Sequence, residues 1–335
     1  MKIAGLLAAA VLALTMSGLA QAAHYRLLHA SYDATRELFA QINPAFSAFY
    51  RQQTGHEVTI SQSHGGSAVQ ARSVVDGMPA DIVSLSIELD IDYIASHSNL
   101  IEHDWAEQLP NHAAPFTSAI IFLVRRGNPR QIRDWDDLIA EGVEVITPNP
   151  RTSAIARYNY LAAYAYADEK FGGGEEQIRG FMRALYAHVP VLDTAVRGAT
   201  NTFVNKQVGD VLLTWESEAQ LALRNMGADQ YEIVVPSVSI IASPRVAVVT
   251  ANARAHGTLE VARAYAEFLY SDQAQEIMAA NHYRPANAGI LGRHRRQFVE
   301  LELVDAGKYG GLQRFGERHF ADGGEFEKLM GDIHK

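Results

Sequence analysis

Four short turns hold most of the residues that could do chemistry in this 335-residue chain. They are Ser31-Tyr32-Asp33, His64-Gly65-Gly66-Ser67, Thr152-Ser153-Ala154-Ile155 and Arg197-Gly198-Ala199-Thr200. Each follows a strand-like segment or a polar turn and leads into a stretch with helical character. The start of a helix leaves backbone N–H groups unpaired and carries a partial positive charge. Several starts meeting at the carboxyl ends of strands would form an anion site from neutral dipoles. Taken singly, each turn also reads as an ordinary capped helix. Asp33, Ser67 and Ser153 are good N-cap residues, contributing ~1 kcal/mol each in that role. The Gly65-Gly66 pair adds the option of close backbone approach to a ligand.

Other chemistries find fewer supports. With no cysteine, a disulfide scaffold, a thiolate metal site, an iron–sulfur cluster and a cysteine nucleophile are excluded. A cysteine-free chain also suits an oxidising compartment. The 13 histidines show no metal-motif spacing, so neither metal nor cofactor is expected. His64-Gly65-Gly66-Ser67 superficially suggests an oxyanion-hole loop. An exported serine hydrolase of the α/β type would need Gly-x-Ser-x-Gly at a strand-to-helix turn, which the chain lacks. That hydrolase is the distant alternative, and no enzyme activity is expected. His64 reads better as a packed, hydrogen-bonded histidine. Gly172-Gly173-Gly174 reads as a break between helices, since no Lys-Ser/Thr follows it as in a phosphate-cradling loop.

The elements that must position these turns follow from pattern. Hydrophobic residues make up 48% of the chain and charged residues 20%, ordinary values for a folded protein of about two domains. Residues 1–22 read as a secretory leader: Lys2, an apolar run, then Ala20-Gln21-Ala22 as cleavage site. The formal charge is −9, and loss of Lys2 with the leader takes it to −10. An acidic chain without a basic tract argues against nucleic acid as a partner. It also means that an anion site must overcome the global field locally. No later run is long and apolar enough to span a membrane. Strands are expected at 25–30, 57–61, 81–85, 119–124, 143–147, 211–214, 233–235 and 245–249. Helices are expected at 35–53, kinked or split by Pro44, and at 67–76, 153–169, 258–269 and 272–280. This alternation predicts an α/β protein with largely parallel sheets. From about Gly307 the chain reads as peripheral helices and a frayed end.

At the same turns the sequence resembles the periplasmic sulfate-binding proteins of ABC importers, which are two-domain solute receptors. The matching segments are Ser31-Tyr32-Asp33, Gln62 to Ser67, Phe122 to Pro129, Thr147 to Pro150, Arg197 to Phe203, and Gly209-Asp210-Val211-Leu212 running on to Trp215-Glu216. The resemblance runs from about residue 25 to the C-terminus. It implies a two-lobed, type II-like binding-protein fold joined by extended crossovers, with the ligand cleft between the lobes. Lobe I would hold 23–112 and 245–335, and lobe II 113–244. It implies a dehydrated sulfate held by uncharged donors alone: the backbone N–H groups of Asp33, Ser67, Ala154, Ile155 and Val196, the hydroxyl of Ser153 and the indole N–H of Trp215. Arg157 and Arg197 would brace the site from behind by pairing with carboxylates such as Asp33. The implied partner is the membrane permease of an ABC importer, and the implied setting is a soluble, periplasmic monomer without cofactor. Thiosulfate or another tetrahedral oxyanion is the alternative ligand. The chain departs from the family at Ala154-Ile155 and Ala195-Val196, where members carry smaller residues. Those side chains would narrow the cavity. Thiosulfate receptors of the family tend to carry Phe where Trp215 stands, which tilts the reading toward sulfate.

Overall fold

The computed structural model describes residues 22–226 and 229–333. The leader at 1–22 lies, apart from Ala22, outside the described residues.

Two sheets organise the chain. The first has His24–Tyr32 flanked in parallel by Glu57–Gly65 and Ile82–Leu85, with Arg245–Val248 antiparallel at the edge next to Ile82–Leu85. The second runs in the order Leu192–Asp193, Val145–Pro148, Val211–Trp215, Ile120–Arg125, Tyr231–Val234. Its first three strands are parallel, and Ile120–Arg125 is antiparallel to both of its neighbours. The sheets are largely parallel, as expected, with one strand in each running against the rest. A parallel neighbour needs a crossover helix on the same sheet. Arg245–Val248 and Ile120–Arg125 instead arrive from the other lobe.

Alternating side chains bury both faces of each sheet, as period-2 geometry requires of strands covered on both sides. In the first sheet Ile82 and Val246 enter one apolar cluster with helices Arg36–Thr54 and Leu259–Phe268, while Val83 and Ala247 enter another with Ser67–Val75 and Glu88–His97. In the second sheet Ile121, Leu123 and Leu212 face helix Val196–Val204, while Ile120, Phe122 and Leu213 face helix Ala154–Phe171.

Pro44 neither splits nor ends its helix, which runs unbroken over Arg36–Thr54. Pro44 and Ala40 are both exposed. The carbonyl that loses its partner to proline therefore belongs to a residue open to water. The C-terminal segment differs more. Helices Gly311–Phe320 and Glu325–Ile333, which the sequence reading gave to the first lobe, complete the second lobe's core. Leu312, Phe315, Phe320, Phe326 and Leu329 join Tyr160, Phe181 and Tyr186 in one cluster. Tyr160 packs on Phe315, Phe320 and Phe326.

Three chain passages connect the lobes: the segments at Ser118 and Ala242 run side by side, and a third, at Glu302–Val304, pairs in parallel with Val238–Ile240. Ser118 and Ala242 exchange backbone hydrogen bonds of 2.8 and 2.9 Å. Beside them Arg284 grips the fully buried Glu216, with Nε 2.7 Å from Oε2. Among the described residues no helix is long and apolar enough to cross a membrane.

Candidate anion-binding site

The strand His24–Tyr32 ends in the 3-10 turn Asp33–Thr35, and Glu57–Gly65 ends where Ser67 opens its helix. On the other lobe, Val145–Pro148 leads through Ser153 into Ala154–Phe171, and Ala195 precedes Val196–Val204. These chain turns meet around one small cavity, bordered by Tyr32, Asp33, Gly66, Ser67, Ser86, Thr152, Ser153, Ala154, Ile155, Ala195 and Val196. Six of the seven residues expected to donate to an anion border it together. Trp215 does not border it. It stands behind, against Tyr32, with ring centroids 5.8 Å apart.

The caps decide which donors remain free. Neither helix Ser67–Val75 nor helix Val196–Val204 is capped by the side chain at its own N-cap position, where Gly66 and Ala195 stand. The N–H groups of Ser67 and Val196 thus stay among the donors that any helix start leaves unpaired. Ser67 opens its helix instead of capping it, and its hydroxyl is occupied. It accepts from the Ser86 N–H at 3.0 Å and donates to the Asp90 carboxylate. Only the Ser67 backbone N–H is left for a ligand. Ser153 does cap its helix, accepting from the Ala156 N–H at 3.4 Å. An accepting hydroxyl retains its own proton to donate. Gly66 sits at φ −58, a conformation open to any residue, and a Cβ there would meet only Val69 at 3.8 Å. No backbone demand explains the glycine.

Trp215 is fully buried, and its indole Nε1 has no hydrogen-bond partner. A buried tryptophan normally finds one. Leaving such a donor unpaired costs about 1–3 kcal/mol.

Asp33 shows an arrangement absent from the sequence reading. Its carboxylate accepts from its own N–H, from that of Ala34 and, across the lobes, from the backbone N–H of Arg197. Burial raises the Asp33 acid above its ordinary value, opposed by the Arg197 guanidinium and these hydrogen bonds.

The two arginines are held behind the site. Arg197 places Nη2 2.8 Å from Glu37 Oε2 and Nε 3.3 Å from Glu218 Oε2, and its charge also acts on Asp33. Arg157 donates from Nε to the Pro150 carbonyl at 3.0 Å and interacts electrostatically with Asp90. Asp33 is therefore a partner of Arg197 and not of Arg157. Sequence reasoning missed Glu37, Asp90, Glu218 and the cavity residue Ser86. Ser86 follows the strand Ile82–Leu85 just before a helix, the same signal as at the other turns. Burial pushes the Glu218 acid up to about 7, with Arg197 pulling it down and Asp33 and Glu37 pushing it up. His64 lies in a hydrogen-bonded setting, with Nδ1 2.7 Å from Ser31 Oγ and Nε2 2.9 Å from Gln62 Oε1. Among the described residues no group of three or more His, Asp or Glu is placed to hold a metal.

Comparison with known proteins gives three kinds of match. The family model described as bacterial extracellular solute-binding protein matches residues 27–284. The sulfate-binding protein of Escherichia coli (strain K12) is 50% identical over 305 residues, 91% of this chain and 92% of that protein. The thiosulfate-binding protein of Pseudomonas aeruginosa is 44% identical over 317 residues, 94% of this chain and 95% of that protein. Among solved structures, the sulfate-binding protein SubI from Mycobacterium tuberculosis H37Rv superposes with a TM-score of 0.81 at 32% identity, covering 89% of this chain and 100% of that one. A ferric binding protein from Campylobacter jejuni shares the fold alone, with a TM-score of 0.62 at 13% identity.

Proposed function

The chain belongs to the bacterial extracellular solute-binding proteins, and from that membership we propose that it is an exported receptor that closes on sulfate and delivers it to the permease of an ABC importer. The observation that carries the reading is the convergence of helix starts from both lobes, at Ser67, Ala154 and Val196, on one cavity. Relatives named for sulfate and for thiosulfate agree with it.

Sulfate at neutral pH only accepts hydrogen bonds, so a cavity of donors satisfies it completely. The donors are the backbone N–H groups of Asp33, Ser67, Ala154, Ile155 and Val196, the Ser153 hydroxyl and, once the indole reaches the ligand, Trp215. A protonated phosphate must also donate, and its hydroxyl would stay unpaired at about 1–3 kcal/mol. Hydrogen bonds to a charged group contribute ~1.5–3 kcal/mol each. Their sum exceeds the roughly −8 kcal/mol of a micromolar affinity. Desolvation of the dianion and ordering of the lobes absorb the difference. Arg157 and Arg197 act from behind through Asp90, Glu37, Glu218 and Asp33, so their charges do not favour one oxyanion over another by direct contact. The receptor works as a soluble monomer in the periplasm after its leader is removed.

Calorimetric titration of the mature, ligand-stripped protein with sulfate, thiosulfate, molybdate and phosphate at pH 7 tests this. Tight one-to-one sulfate binding, with phosphate at least about a hundredfold weaker, is expected; that ratio is about 2.7 kcal/mol, one buried hydroxyl left unpaired. Phosphate binding as tight as sulfate would overturn the donor-only site.

A further inference from the structure

Trp215 is held by two tyrosines that come from different parts of the molecule. Tyr32 ends the central strand of the first sheet. Tyr158 belongs to the second lobe's helix Ala154–Phe171. Each meets the indole edge-on, at 5.8 Å and interplanar angles of 66° and 70°. Tyr32 borders the anion cavity, yet its ring is part of the second lobe's apolar cluster with Phe122, Tyr158 and Trp215. The Tyr32 hydroxyl is buried and has no partner, so its ring and not its polar end makes this contact. Tyr158 is anchored otherwise: its hydroxyl accepts from the Ser243 N–H at 3.4 Å, one residue beyond the crossover pair Ser118–Ala242. The indole thus has one neighbour tied to the crossover and one carried by the first lobe.

We propose that Tyr32 is a positioning residue: its ring, carried by the first lobe, fixes the Trp215 indole of the second so that its unpaired N–H reaches the anion only when the lobes close. This rests on the anion-receptor reading above. Edge-to-face geometry fixes a ring's plane, because the positive edge of one ring seeks the negative face of the other. A donor aimed by a group on the opposite lobe couples two events in one free energy. Whatever the anion gains from Trp215 also stabilises closure, and the coupling is reciprocal.

The test uses the full mature chain with Trp105 and Trp135 replaced by Phe, leaving Trp215 as sole fluorophore. Sulfate is titrated into this protein and into its Tyr32→Phe, Tyr32→Leu and Tyr32→Ala variants, reading affinity, dissociation rate and Trp215 emission. Tyr32→Phe keeps the ring and should leave affinity within about twofold and the emission change intact, since the lost hydroxyl had no partner. Tyr32→Leu and Tyr32→Ala should weaken sulfate at least about tenfold, mainly through faster dissociation, and abolish the emission change. Sulfate affinity and emission unchanged in Tyr32→Leu would overturn the proposal, and so would a large loss in Tyr32→Phe. Tyr32→Leu decides if Tyr32→Ala does not fold. If the starting protein ignores sulfate but answers thiosulfate, the sulfate reading fails and the same variants are compared with thiosulfate. Silence toward every oxyanion overturns both.

Discussion

At the scale of single residues, Trp215, Ile155 and Glu218 make separable demands. With Trp215 as the proposed donor, Trp215→Phe removes one hydrogen bond to a charged ligand, a loss of ~1.5–3 kcal/mol, so sulfate should bind roughly tenfold to a hundredfold more weakly by calorimetry. Ile155 and Val196 border the cavity and are almost fully buried. Ile155→Gly should therefore raise the affinity for the larger thiosulfate relative to sulfate, while its backbone N–H survives. An unchanged thiosulfate-to-sulfate ratio would show that the side chain does not set the size of the ligand. Glu218 concerns stability. Its acid is pushed from 4.5 up to about 7 by burial, so the folded state holds a proton that the unfolded chain has lost in that interval. Stability from this group is present below pH 4.5 and declines as pH rises toward 7. The difference in unfolding free energy between Glu218→Gln and the natural chain should change across that interval, read from urea melts at several pH values. A constant difference would place the Glu218 acid in its ordinary range.

At the scale of elements, legibility tracked how local the cause was. Strand ends, helix starts and the turns between them depend on residues a few positions apart, and those turns do converge on one cavity. The partners of the arginines were not legible, because Glu37 and Asp90 reach them across the cleft and Glu218 through packing within the second lobe. Motif residues also divided by role in a way that sequence could not reveal. Arg125 braces the fold: it donates to the Gly209 carbonyl at 2.8 Å and lies over the Phe203 ring at 3.9 Å. Gly209 sits at φ +83 with Ile146 so close that a Cβ would collide with it. Asn128 closes its own turn through the Ile132 N–H at 2.9 Å. The C-terminal helices were the largest surprise. The stretch reads as polar and peripheral in sequence, and no local signal marks the second lobe as its partner. Deletion of 306–335 exposes Tyr160, Phe181 and Tyr186 and removes Phe315, Phe320 and Phe326 from the same cluster. Each large apolar side chain contributes about 1.5–3 kcal/mol of burial. The shortened chain should lose its cooperative thermal transition, followed by circular dichroism; retention of that transition within a few degrees would show the helices to be dispensable.

At the scale of the whole molecule, the boundaries drawn from sequence and the spatial units are not the same. A fragment spanning 113–244 would present a second sheet lacking the C-terminal helices. It should remain unfolded by proton NMR dispersion, whereas adding 302–333 in trans or by a linker should restore it. The proposed site, with donors on both lobes, requires closure for binding. Small-angle scattering should then show a smaller radius of gyration with saturating sulfate, and identical curves with and without sulfate would remove the hinge from the account.

The unpaired donors have a consequence for an empty receptor. Closing the lobes without an anion would seal several N–H groups away from water with nothing to accept them, each at about 1–3 kcal/mol. The vacant closed form therefore rejects itself. A transporter that responds to the shut shape would seldom be triggered by a blank, and the energy of ATP would not be spent on an empty delivery. The chemistry that selects the cargo also certifies that cargo is present.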